Sequence, residues 1–153
     1  MIRRAIPADI PKLNELLFQV QQIHADGRPD IFKSGNKKYT TEKLESIIQN
    51  DDTPIYVYDD GAVKGYVFCI LQETNETEQL FHRKTLYIDD LCVDKKERGK
   101  HIGTSLYQHV HQKAKEFNCD SVTLNVWALN DTAMKFYQRV GLLPLKITME
   151  SIV

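Results

Sequence analysis

Apolar and polar positions alternate along this chain with two periods, and the switches between them divide it into elements. Ile10, Leu13, Leu16, Leu17, Val20 and Ile23 recur at helical spacing, with Asp9 placed to cap and Pro11 in the first turn. They predict a first helix, preceded by a short strand over Met1 to Ile6. The polar stretch His24 to Lys38, with Gly27, Pro29 and Gly35, reads as a loop. A shorter helix follows, capped by Thr40 or Thr41, with Leu44, Ile47 and Ile48 inward. Ile55 to Tyr58 and Val63 to Leu71 read as strands joined by a two-residue turn at Asp60-Gly61. After a polar connection, Thr85 to Val93 is the next strand. Ile102, Leu106, Val110, Ala114 and Phe117 then mark a helix. Val122 to Trp127 reads as a strand, Asn130 caps a helix that stops at Gly141, and Leu143 to Ile152 closes the chain as a last strand.

The predicted order is β-α-α-β-β-β-α-β-α-β. It implies an α/β (α+β) fold with a mixed sheet and helices on both faces. No repeat, linker or low-complexity tract interrupts it, so residues 1–153 read as a single domain.

Composition narrows the function classes. The net charge of −1, with 42% hydrophobic and 27% charged residues, lacks the basic excess of a nucleic-acid binder. No run is long and apolar enough for a membrane span, and the N-terminus lacks the apolar region of a signal peptide. Cys69, Cys92 and Cys119 are odd in number and lie in or beside apolar runs, which predicts core thiols in a reduced, cytoplasmic protein. The histidines show no metal-ligand spacing, and no metal is expected.

One segment stands out. Arg98-Gly99-Lys100-His101-Ile102-Gly103 lies between a strand and a helix. A helix start offers unpaired N–H groups and partial positive charge, and glycine lets an anion approach the backbone. The segment therefore reads either as a pyrophosphate cradle or as a plain basic turn. It is not a P-loop, because Lys100 precedes the last glycine, and the spacing is not that of a dinucleotide fingerprint.

With "LNVWALNDTAMKFYQRVGL" (Leu124 to Leu142), this segment resembles the GCN5-related N-acetyltransferase (GNAT) family over nearly the whole chain. The family's signature is Arg/Gln-x-x-Gly-x-Gly/Ala. Here His101 stands where the family has its middle glycine. The resemblance implies a mostly antiparallel central sheet and acetyl-CoA as cosubstrate. It implies direct attack of a primary amine on the thioester in a ternary complex, without metal. Leu91, Cys92 and Val93, the segment Arg98, Gly99, Lys100, His101, Ile102, Gly103 and Thr104, and Asn130, Ala133 and Tyr137 are then the cofactor-lining positions. Tyr137 is the implied acid for the leaving thiolate, and the backbone N–H of Cys92 or Val93 the donor to the thioester carbonyl. The loop carrying Arg28 and Phe32 falls on the acceptor side. The family leaves the acceptor unnamed, and a homodimer is common in it.

The base is sought in "YIDDLCVD". Asp89 and Asp90 are carboxylates in an apolar strand, costly there unless used or paired. Adjacent strand residues point to opposite faces unless a bulge re-aims them. Asp89 is preferred to Asp90 as the base, and both are counted as acceptor contacts, which favours a small cationic amine. Cys92 lacks a partner base and reads as core. The competing reading is an inactive acyl-CoA-binding sensor or interaction module, for which the substitution at His101 speaks.

Overall fold

A computed structural model describes all residues from Met1 to Val153. Strand β1 (Ile2–Arg4) leads through a short 3-10 turn into helix α1 (Ile10–Gly27). Helix α2 (Thr41–Gln49) and strands β2 (Ile55–Asp59), β3 (Val63–Thr74) and β4 (Arg83–Val93) follow. Helix α3 (Ile102–Glu116), strand β5 (Ser121–Leu124) and helix α4 (Asp131–Arg139) complete the elements. The five strands lie in sequence order, antiparallel except for the parallel β4–β5 pair.

Two cores sandwich the sheet. On one face α1 and α2 pack Leu13, Leu16, Leu17, Leu44 and Ile48 against Val57, Tyr66 and Phe68. On the other, α3 sets Ile102, Leu106 and Val110 against Val67, Leu86 and Ile88, with Phe136 and Val140 of α4 at the border. Each core uses alternate residues of β3, which is why this central strand is apolar on both faces.

Several boundaries differ from expectation. The burial of Ala25 carries α1 on to Gly27, taking four residues from the expected loop, while Ile23 is exposed. Asp9 does not cap α1 through its side chain. Its carboxylate accepts instead from Arg3 at 2.8 Å and from the Ile6 N–H at 2.9 Å. Thr40 rather than Thr41 caps α2, accepting from the Lys43 N–H at 3.1 Å. The β2–β3 connection spans Asp60 to Ala62, with Gly61 at φ 101°.

The largest difference is at the C-terminus. The strand expected over Leu143 to Ile152 pairs with nothing: no backbone hydrogen bond involves residues 143–153. The alternating pattern that predicts a strand is present, but this chain supplies no neighbour for it.

Candidate active site

The site begins at an irregularity in β4. The β3–β4 register pairs Phe68 with Asp90 but Cys69 with Ile88, so Asp89 is an extra residue on β4. This bulge breaks the alternation. Ile88 and Leu91 face the α3 side, yet both Asp89 and Asp90 meet residues of the α1–α2 face. The two carboxylates, expected on opposite faces of a regular strand, come to one side.

Their surroundings differ. Asp89 accepts from the Lys38 ammonium at 2.9 Å and from the Tyr39 hydroxyl, both in the segment between α1 and α2. Tyr39 stacks on Phe68, ring centres 5.6 Å apart. Asp90 accepts from the Tyr66 hydroxyl at 2.8 Å. Solvent reaches part of Asp90, but protein surrounds most of it. Burial therefore pushes its carboxyl up to about 6, the Asp89 charge adds to the rise, and the Tyr66 bond opposes it. Asp90 can thus take and release a proton near neutral pH, whereas the oxygens of Asp89 are held by two donors. Lys38, Tyr39 and Tyr66 escape sequence reasoning because they lie 51, 50 and 24 residues from their partners.

Beyond the bulge the sheet opens. Pairing of β4 with β5 stops at Ile88 with Leu124, leaving Asp89 to Val93 bound to β3 alone. The ladder fixes which amides face the gap. The Asp94 N–H donates to the Lys64 carbonyl at 2.8 Å, and in the same register Cys92 faces Tyr66. Hydrogen-bonded pairs alternate in an antiparallel ladder, so the Cys92 N–H points to β3 and the Val93 N–H toward the gap. Of the two donors expected there, only Val93 is turned outward. The Cys92 thiol packs against the Leu16 carbonyl at 3.7 Å, and burial pushes it up to about 12, the state of a core thiol.

Tyr137 reaches this region from α4. Burial raises its hydroxyl well above the usual tyrosine range, and the charge of Asp90 adds to the effect. The hydroxyl makes no hydrogen bond within the chain, so its proton is available. Asn130 caps α4, accepting from the Ala133 N–H at 3.2 Å. This bond holds the start of the helix that carries Tyr137.

Past β4, Asp94 anchors the turn. Lys12 at 2.6 Å holds its carboxyl down at about 2, and it accepts from the Lys96 N–H at 3.2 Å. The chain then runs through Gly99 (φ 81°) and His101 (φ 60°) into α3. The backbone N–H groups of Gly99, Lys100, His101, Ile102, Gly103 and Thr104 find no acceptor in the chain. Six successive free donors at the start of a 15-residue helix fit an anion such as a pyrophosphate. Gly103 has a packing reason as well. A Cβ there would lie 3.2 Å from the Phe136 ring and 3.6 Å from Val93, so its absence lets α3, α4 and the end of β4 close together. Lys100 is turned to Glu97 at 2.7 Å, and the Arg98 Nε lies 3.4 Å from the Val93 carbonyl.

On the far side, Phe32 packs on His24 and meets Trp127 edge-on at 5.1 Å. Arg28 pairs with Asp30 at 2.7 Å and with Glu150 of the tail at 3.1 Å. The loop after α1, the segment after β5 and the tail thus form one wall, with the Asp89–Lys38–Tyr39 cluster rooted in the same loop.

The model of the acetyltransferase (GNAT) family matches residues 17–142. An uncharacterized N-acetyltransferase of Methanocaldococcus jannaschii is 26% identical over 141 residues. These are 92% of this chain, which spans 59% of that relative's length. The crystal structure of a tetramutant of the BH1408 protein from Bacillus halodurans is 30% identical, with a TM-score of 0.96 over 100% of this chain and 99% of that one. The glucosamine-6-phosphate N-acetyltransferase of Arabidopsis thaliana shares the fold at 22% identity and a TM-score of 0.72, over 99% of this chain and 97% of its own. With the signature turn, the opened sheet and the family match over most of its length, this chain belongs to the acetyltransferase (GNAT) family.

Proposed function

We propose that the protein is an acetyl-CoA-dependent N-acetyltransferase that moves the acetyl group to a small primary amine by direct attack in a ternary complex. The observation that carries the reading is the run of six free amides at the start of α3, which opens beside Val93, Tyr137 and Asp90. Acetyl-CoA brings the activated acyl group as a thioester. Gly99 to Thr104 hold its pyrophosphate, and the Arg98 side chain adds positive charge. Leu91 to Val93 and the start of α4, with Asn130 and Ala133, line its path.

In this reading Asp90 rather than Asp89 is the base. It takes one proton from the bound ammonium, and the lone pair so freed forms the nitrogen–carbon bond. The free Val93 N–H donates to the carbonyl oxygen as charge gathers there. Tyr137 protonates the sulfur as the carbon–sulfur bond breaks, and it regains a proton from solvent, to which the nitrogen releases its second proton. Asp89 ties the loop after α1 to the sheet through Lys38 and Tyr39, and that loop presents Arg28 and Phe32 to the acceptor. Lys38 neutralises Asp89, so the pull on cationic acceptors comes from Asp90 alone and is weaker than two adjacent carboxylates imply. The protein is read as cytoplasmic, with no metal and no nucleic acid among its partners.

The rival reading, an inactive acyl-CoA sensor, rests on His101. That residue is exposed and leaves the six amides without an intrachain acceptor, so it supplies no obstruction of their hydrogen bonding. A thiol-release screen with acetyl-CoA and a panel of amines separates the two. Release that depends on an amine supports transfer. Tight acetyl-CoA binding with no release from any amine class overturns it in favour of the sensor.

A further inference from the structure

We infer that Lys38 is an acetyl acceptor in its own active site: its ammonium is seated at the candidate catalytic carboxylates, where acetyl-CoA bound along the opened sheet acetylates it within the same chain. The inference rests on the proposed transferase activity and adds a modification site to it.

Placement comes first. The Lys38 Nζ lies 2.9 Å from the Asp89 Oδ1 and 3.3 Å from the Asp89 backbone oxygen. Asp89 is the bulged residue next to the last β4–β5 pair, so the ammonium stands where the sheet opens, on the face to which Asp90 also turns. Its charge reaches Asp90 and opposes the rise of that carboxyl. The other lysine ion pairs involve neither carboxylate: Lys12, Lys64, Lys100, Lys113 and Lys135 pair with acidic groups elsewhere. With no free amine bound, the amine at the acceptor position is one of the chain's own.

The side chain is also able to leave its partner. It is 44% exposed, and an ion pair so open to solvent is held weakly. Residues 37–39 belong to no helix or strand and make no backbone–backbone hydrogen bond, so moving the Lys38 side chain toward a thioester disturbs little else. Tyr39 keeps its own bond to Asp89 and its stacking on Phe68, which anchors the loop when the ammonium departs.

The step balances as an ordinary transfer. The Lys38 ammonium gives one proton to Asp90, and the lone pair so freed forms the bond from Nζ to the acetyl carbon. The carbon–sulfur bond breaks, its electron pair leaves on the sulfur, and Tyr137 protonates it. The nitrogen releases its second proton to solvent, Asp90 sheds the first there, and Tyr137 regains one. The product is an uncharged amide that no longer pairs with Asp89. Asp89, left with Tyr39, then stands as an uncompensated carboxylate beside Asp90, and the cleft pulls more strongly on cationic acceptors.

The test is mass spectrometry of the full-length protein incubated with acetyl-CoA and no added amine. A gain of one acetyl group per chain is expected, placed on Lys38 by peptide mapping, at a rate per chain that dilution leaves unchanged. Lys38→Arg keeps a cation on Asp89 and should lose the gain. Excess desulfo-coenzyme A, which fills the same cradle and carries no acetyl group, should abolish it in the wild type. No gain, or a gain on other lysines only, overturns the inference. So does acetylation of Lys38 at full rate beside desulfo-coenzyme A, the mark of plain chemical acetylation. A rate per chain that rises with protein concentration overturns transfer within the chain. The transferase activity is judged apart by the amine panel. Amine-dependent thiol release with Lys38 unmodified overturns the self-acetylation and leaves that activity standing; no release from any amine and no acetyl on Lys38 overturns both.

Discussion

The start of α3 and the C-terminal tail share one deficiency in different settings. Both present a run of backbone N–H groups without acceptors in the chain. At α3 the run is short and curved, Gly99 and His101 turn it through positive φ, and a helix dipole stands behind it. An anion is the natural acceptor for such a run. In the tail the run is extended, its carbonyls are as unsatisfied as its amides, and apolar side chains line one edge. An anion would satisfy neither its carbonyls nor its apolar side chains. Unpaired amides alone therefore do not name a ligand. The neighbouring side chains and the curvature of the backbone do.

The comparison is sharpest where the amide run meets the chemistry. Asp90→Asn keeps an acceptor for Tyr66 and removes the base, so turnover should fall about 10²- to 10⁴-fold. In the wild type, kcat/KM should rise with pH through about 6, where Asp90 loses its proton, and the variant should lack that step. Stability should move the opposite way. A carboxyl raised in the folded state is destabilising once ionised, a loss that sets in between the unfolded pKa of about 3.9 and the folded value near 6. At pH 7 the variant should gain about 1–2 kcal/mol in denaturant unfolding, allowing for partial solvent screening. Unchanged turnover would return the role of base to Asp89.

The two amide runs should also answer differently to acetyl-CoA. At 100 times its Kd, acetyl-CoA should protect the amides of Gly99 to Thr104 about 100-fold in hydrogen exchange. It should leave residues 145–149 unchanged. Equal protection of both would break the distinction.

Gly103→Val tests how far the anion site depends on packing. Its Cβ would meet Phe136 at 3.2 Å, so the variant should lose about 1–3 kcal/mol of stability along with acetyl-CoA affinity. Adding Phe136→Leu should recover part of both. If affinity is lost without any loss of stability, the glycine serves the ligand's space alone. His101→Gly should be milder. It relieves left-handed strain of about 1–2 kcal/mol and adds unfolded-state entropy worth about 0.5–1. A net gain of about 0.5–1 kcal/mol in urea unfolding is expected, with acetyl-CoA bound at least as tightly.

The smallest effect lies in the second core. The His109 Nε2 is buried without a partner beside the Tyr56 ring, and burial, helped by Lys113, holds its pKa below the usual value. The unfolded state then binds the proton first. The stability His109 contributes is full above about pH 6.5 and declines as pH falls through that range. Unfolding midpoints at pH 7.5 and 5.5 should differ less in His109→Leu than in the wild type.

Much of this was legible in the chain, element by element. Leu13, Leu16 and Leu17 are buried where their spacing puts them, and Thr40 and Asn130 cap as their types predict. Gly141 takes φ 103° after α4. These are local matters of periodicity, capping and backbone freedom, settled within a few residues. The signature turn was legible for the same reason, because residues 98–104 are contiguous. The pair Asp89 and Asp90 could be singled out, but their division of labour could not. It depends on Lys38, Tyr39 and Tyr66, brought in by loops and strand pairing from far along the chain.

By itself, then, the sequence determined where helices and strands form, which faces are apolar, where an anion could meet a helix start and which carboxylates were worth a question. Tertiary structure alone decided that a bulge turns both carboxylates to one face, that burial raises Asp90 while Lys38 holds Asp89, and that the final strand finds no partner in its own chain. The reason is physical. Periodicity and capping energies are functions of neighbouring residues, whereas burial, register and the satisfaction of a backbone amide depend on what the rest of the fold brings within a few ångströms.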